Sequence, residues 1–148
     1  LRQLFDAGHG TYAGEHARID GALNNPRGLQ SPAIPIVVGG NSRMAWRLAA
    51  RFADEVNLDG TPPAGLAGAQ ATLGTICEEA GRDPATLAMS VHILPDAVAE
   101  AGAARVDLLA AYREAGVPRI YALVRASVAT DEALASFAED ARAAGAEI

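Results

Sequence analysis

Four short apolar runs, each followed by a segment of helical spacing, restrict this chain more than any other feature. The runs begin near positions 36, 54, 87 and 119. The segments between and after them place apolar residues at i, i+3 and i+4, the period of an amphipathic helix. Strict alternation of this kind specifies a parallel sheet joined by right-handed crossovers. Four such units form either a small open sheet or half of a (β/α)8 barrel. A whole barrel needs roughly 200 to 250 residues, and this chain has 148.

Taken in order, Leu1, Leu4 and Phe5 share a helix face, and Gly8 and Gly10 end that helix. The chain opens on Leu1 in what reads as the last turns of a helix already under way, so a fragment of a longer protein is expected. Residues 11–20 read as a hairpin turning near Gly14-Glu15. Asn24-Asn25-Pro26-Arg27-Gly28 and Ser31-Pro32 are loop chemistry. Strand Ile36–Val38 lacks polar alternation and is expected to be buried on both faces. The helices that follow are expected to turn Ala45, Leu48, Ala49 and Phe52 inward, then Leu66, Ala69, Leu73 and Ile76. Ala101, Leu108, Tyr112 and Ala115 follow in the third, and Leu134, Phe137, Ala138 and Ala141 in the last. No linker is visible, so residues 1–148 read as one domain.

Composition narrows the class. Hydrophobic residues make up 50% and charged residues 20%, as in an ordinary folded domain. A net charge of −6 argues against nucleic acid and anionic membrane surfaces as partners. No apolar run reaches the ~18 residues of a membrane span. Cys77 is the single cysteine, which excludes an internal disulfide and a cysteine metal cluster, and a reducing cytoplasm is the default expectation. The three histidines lack metal-ligand spacing.

The densest functional signal is Ile36-Val37-Val38-Gly39-Gly40-Asn41-Ser42. A strand meets two glycines and then two helix-capping residues. A helix start offers unpaired N–H groups and a positive dipole end, and glycines let the backbone approach an anion closely. Gly39, Gly40, Asn41 and Ser42 are therefore the candidate phosphate site; an ordinary βα turn has the same pattern. Neither the Gly-Lys-Ser/Thr of the P-loop nor the dinucleotide G-x-G-x-x-G is present. Arg43 could add charge to a bound phosphate or simply face solvent.

Other residues carry weaker signals. Asn57 and Asp59 end the second strand on the active side of such folds, yet also suit a turn. Asp54 and Glu55 begin that strand and do not read as an acid/base pair. His92 reads as a hydrogen-bonded strand residue, with a site role as the sharper alternative. Trp46 and Tyr112 have core spacing, Arg125 and Ser127 follow the last strand as a plain loop, and Cys77 reads as a structural thiol.

Several blocks together resemble the luciferase-like monooxygenase superfamily, most closely its coenzyme F420 (deazaflavin)-dependent oxidoreductase branch. They are Thr11–His16, Leu29–Gly40, Leu48–Asn57, Gly81–Ala85 and Glu114–Ile120. Glu55 stands where that family usually has glycine, and Asn41-Ser42 where many members have another glycine. The resemblance implies the C-terminal half of a TIM-like (β/α)8 barrel: four parallel βα units behind a short hairpin. It implies hydride transfer between coenzyme F420 and a small organic substrate, with Gly39–Ser42 holding the cofactor phosphate. Flavin mononucleotide (FMN) is the alternative cofactor, in a luciferase-like monooxygenase. The residues that contact the cofactor ring belong to the family's first half, so catalytic residues are not assigned in this chain. A half-barrel that associates with a partner, or with itself as a homo-oligomer, is the non-catalytic alternative.

Overall fold

The computed structural model describes residues 1–30 and 34–148. The expected Ser31-Pro32 loop lies outside the described residues. The chain divides into two compact units, Leu1–Ile36 and Val37–Ile148.

In the first unit, α1 (Arg2–Ala7) ends at Gly8, whose φ of 78° lets its N–H return to the Leu4 carbonyl. Strands β1 (His9–Ala13) and β2 (Arg18–Leu23) pair antiparallel, with an irregularity between Gly10 and Tyr12. Gly14 N–H donates to the Ala17 carbonyl and closes the hairpin where the sequence places it. Arg27 Nη2 donates to the carbonyls of Phe5 and Asp6, at 3.4 and 2.5 Å, which ties the following loop to the end of α1.

The second unit holds the parallel sheet, in the order β3 (Val37–Gly39), β4 (Glu55–Asp59), β5 (Ala88–Ile93), β6 (Arg119–Ala122). Helices α2 (Arg43–Phe52), α3 (Leu66–Glu79), α4 (Ala103–Glu114) and α5 (Glu132–Ala143) follow the strands in turn. Every strand and helix lies within a few residues of its expected place.

The sheet has two unlike faces. Val56 and Leu58 of β4 and Met89, Val91 and Ile93 of β5 are buried with Ala49, Leu66, Leu73, Ile76, Leu109 and Tyr112 of the helices. This is the core. Register puts Glu55, Asn57 and Asp59 beside Ala88, Ser90 and His92, with Arg119 and Tyr121 next to Ser90 and His92 on the opposite face. The expectation that the first strand is buried on both sides is corrected: Val37 is 46% exposed. β3 is a sheet edge, and Val37 is the register partner of Glu55, on the polar face.

Helix faces also differ from expectation, and Ala101, expected inward, precedes α4 and is exposed. Leu48 and Phe52 of α2 are exposed, as is Met44, while Ala49 and Ala50 are buried. α2 meets α3, β3 and β4, so small alanines set the contact and the larger side chains lie outside it. Leu134 of α5 is exposed too, while Ala141 is buried.

Arg82, in the turn before β5, fixes the end of α2. Its Nη1 donates to the carbonyls of Ala49, Ala50 and Ala53, the last at 2.7 Å, and its Nε to Thr86 Oγ1. A cation on the last carbonyls satisfies acceptors the helix cannot and complements its dipole.

Candidate functional site

The turn between β3 and α2 is built as a helix start. Ser42 is the N-cap, and its Oγ accepts from Ala45 N–H at 3.1 Å. The amides of Arg43 and Met44 come earlier in the helix than any intrahelical acceptor can reach, so they remain open to an anion. Gly40 has φ +116°, which side-chain-bearing residues rarely adopt. A Cβ placed on Gly39 would meet nothing within 4 Å, so the chain is open at that glycine.

Three neighbours hold this turn. Gly40 N–H donates to the Asn57 carbonyl at 3.0 Å, and Trp46 Nε1 donates to the Gly40 carbonyl at 2.9 Å. Asn41 Nδ2 donates to the Asp59 carbonyl at 2.6 Å, and Asp59 N–H donates back to Asn41 Oδ1 at 3.0 Å. The Asn41 side chain is thus committed to β4, and its backbone faces the turn with those of Gly39 and Gly40. Trp46, expected only to fill space, also clamps the glycine carbonyl. Arg43 is exposed on the first turn of α2.

The polar face continues from this turn across the strands. Asn57 Nδ2 donates to Ser90 Oγ at 2.8 Å, and Ser90 Oγ donates to Glu55 Oε1 at 2.5 Å. Arg119 Nη1 meets Glu55 Oε2 at 2.6 Å, so the buried Glu55 carboxylate has a cation and a hydroxyl. Interaction with Tyr121 first, and the Glu55 charge second, raise the Arg119 guanidinium above its ordinary range. Nearer the C-terminal ends of the strands, His92 Nδ1 lies 3.0 Å from Asp59 Oδ1.

Asn57 and Asp59 are therefore strand residues on one face rather than a turn pair. Asp59 is brought to His92, and Asn57 to Ser90. Glu55 does begin the strand, but with a structural charge network that the sequence reading missed. The signal was present: Glu55-x-Asn57-x-Asp59, Ser90-x-His92 and Arg119-x-Tyr121 all have the period of two that puts polar side chains on one face.

The remaining candidates lie elsewhere. Ser127 Oγ donates to the Val124 carbonyl inside a local turn, and Arg125 is exposed. Tyr112 is buried with its hydroxyl donating to the Thr61 carbonyl. Cys77 is buried, and desolvation pushes its thiol up, away from reactivity. His9 and His16 are exposed on the hairpin side of the chain. Among the described residues no group of acidic, histidine or cysteine side chains forms a metal site. A hollow of about 430 Å³ between α3 and the loops entering β5 and β6 includes Leu73, Cys77, Pro84 and Met89, but neither the glycine turn nor His92.

Comparison with known proteins places this arrangement. The family described as luciferase-like monooxygenase matches residues 1–148. The chain belongs to this family. Among solved structures it is similar to an F420-dependent secondary alcohol dehydrogenase in complex with an F420-acetone adduct, with a TM-score of 0.66 and 15% identity over 92% of this chain. It is also similar to the coenzyme F420-dependent tetrahydromethanopterin reductase from Methanopyrus kandleri, with a TM-score of 0.68 and 16% identity over 93% of this chain. It spans 58% of each of those chains. No curated protein matches. At this identity the likeness concerns the fold: four parallel βα units, half the complement of a (β/α)8 barrel, as the strand alternation leads one to expect. Among the described residues no helix is long and apolar enough to cross a membrane.

Proposed function

We propose that this luciferase-like chain serves an oxidoreductase dependent on coenzyme F420, and that Gly39, Gly40, Asn41 and Ser42 hold the cofactor phosphate. The observation that carries the reading is the pinned helix start with its open amides, preceded by Gly39, where a Cβ would meet no atom within 4 Å. The two F420-dependent enzymes of similar fold supply the identity of the ligand.

The residues fit such a group. A phosphate would rest on the amides of Arg43 and Met44 and on the backbone of the glycine pair, and the Ser42 hydroxyl could donate to it. Arg43 would add positive charge from the first turn. The Asn41 side chain would fix the turn's position through Asp59. When bound, the deazaflavin supplies a site for hydride gain and loss, with a small organic molecule as its partner. This part of the protein contributes position and electrostatics.

FMN is the second reading, because the matched family is described as a monooxygenase and a flavin phosphate would use the same helix start. A non-catalytic associating half-barrel is the third, favoured by exposed Met44, Leu48, Phe52 and Leu134. Equilibrium fluorescence titration of the full chain with F420 and with FMN separates the first two. Tighter binding of F420 is expected; FMN alone binding favours the second, and binding of neither removes the phosphate role from Gly39–Ser42 in this chain. Sedimentation velocity tests the third, which a folded monomer overturns.

A further inference from the structure

Asp59 supports the glycine turn only through its backbone; its carboxylate is free of that turn and forms a polar pair with His92 at the C-terminal ends of the strands. Asp59 is the last residue of β4, and His92 is its register partner on β5. Nδ1 of His92 lies 3.0 Å from Asp59 Oδ1. A carboxylate accepts hydrogen bonds and donates none, so the proton of this contact belongs to Nδ1. In the neutral ring that leaves the lone pair on Nε2. Nε2 has no partner among the described residues, and the side chain is 33% exposed. This is the reverse of a core histidine with both nitrogens satisfied.

The pair is fixed from behind as well. Asp59 is bonded through both backbone groups to the Asn41 side chain, and Gly60 N–H donates to the His92 carbonyl at 2.9 Å. Exposed apolar side chains also stand at these strand ends: Leu94 follows β5 and Leu123 follows β6, 42% and 51% exposed, with Tyr121 as the register partner of His92. A Cβ on Gly60 would come within 3.0 Å of Leu94 Cδ1, which places that leucine against the end of β4. An oriented lone pair beside exposed apolar side chains matches a small organic molecule that carries a hydroxyl group.

We infer that His92, oriented by Asp59, accepts a hydrogen bond at Nε2 from the hydroxyl of a small alcohol or phenol bound at the ends of β4 and β5. Asp59 is the positioning residue and Asn41 supports it. No bond to carbon forms or breaks in this contact. It requires no cofactor, so it stands or falls separately from the F420 reading.

The test is ¹⁵N NMR of the imidazole nitrogens in the full chain, with phenol as the probe. Three histidines give three ring systems, and His92→Gln assigns one. The neutral ring of His92 is expected to carry its proton on Nδ1. Phenol is expected to move the Nε2 resonance in a saturable way. In Asp59→Asn the amide can donate as well as accept, so the tautomer lock is lost and phenol binding weakens roughly tenfold, the loss of one good hydrogen bond. Backbone spectra of both variants confirm that they fold. An Nε2-protonated ring in the wild type overturns the inference. So does an Nε2 resonance that phenol leaves in place.

Discussion

Asn41 and Asp59 pair as neighbouring strands do, although Asn41 contributes only its side chain. The amide Nδ2 donates to the Asp59 carbonyl and Oδ1 accepts from the Asp59 N–H. The glycine turn is thereby continued onto β4, and the end of β4 carries the carboxylate that holds His92. One side chain couples two features that the sequence separates by 18 positions.

Removing that side chain tests the coupling. Asn41→Ala deletes two hydrogen bonds at an exposed site, where water can take over both backbone groups. A loss of about 1 kcal/mol is expected, read as a lower urea midpoint at unchanged slope. The Nδ1-protonated fraction of His92 should fall with it in the ¹⁵N spectrum. A stability loss with an unchanged tautomer would uncouple the two.

The two glycines of the turn should behave differently. Gly40 has φ +116°, so Gly40→Ala or Gly40→Val strains the backbone by about 1 to 3 kcal/mol. Gly39 has open space where a Cβ would go, so Gly39→Ala should fold normally. That methyl enters the space assigned to the phosphate. F420 affinity is therefore expected to fall in Gly39→Ala with an unchanged melting temperature, and to fall in Gly40→Val in a chain that still folds. Unchanged affinity in both variants would remove the phosphate from this turn.

The order and ends of the strands were legible because short apolar runs between turn residues admit few other readings. The faces were less legible. In α2, Leu48 and Phe52 satisfy the helical period as well as Ala49 and Ala50 do, and hydrophobicity alone favours the larger pair. The structure buries the alanines because α2 lies close against β3 and α3. Glu55 looked like a strand-starting charge because its partners, Ser90 and Arg119, are 35 and 64 residues away. Trp46 looked like core filling because a carbonyl acceptor six residues earlier leaves no trace in spacing.

Arg82 gives a stability prediction outside the site. It serves three carbonyls at the end of α2 and both the side chain and the carbonyl of Thr86. Arg82→Ala leaves the Ala49 carbonyl its bond from the Ala53 N–H but takes the guanidinium from the Ala50 and Ala53 carbonyls in a half-buried position, and about 2 kcal/mol is the expected loss. Arg82→Lys should recover less than half, since an ammonium cannot span the same set of acceptors. Urea unfolding of the three proteins reads both effects, and full recovery by lysine would show that only the charge matters.

Alkaline pH should weaken the fold through two buried groups. Burial raises the Cys77 thiol, partly offset by Arg82, and burial raises the Tyr112 phenol. Each therefore holds its proton more tightly in the folded chain than in the unfolded one. Below the unfolded values, about 8.5 for a thiol and about 10 for a phenol, both states are protonated and the full stability is present. As pH rises past those values the unfolded chain ionises first, and stability is lost until the folded groups also titrate. Cys77→Ala removes the earlier of the two contributions. Its unfolding free energy should start lower than wild type at pH 7, because the buried sulfur is gone, and then decline less steeply between roughly pH 8.5 and 10. Parallel wild-type and variant curves across that interval would mean that Cys77 is no harder to ionise in the folded chain than in the unfolded one.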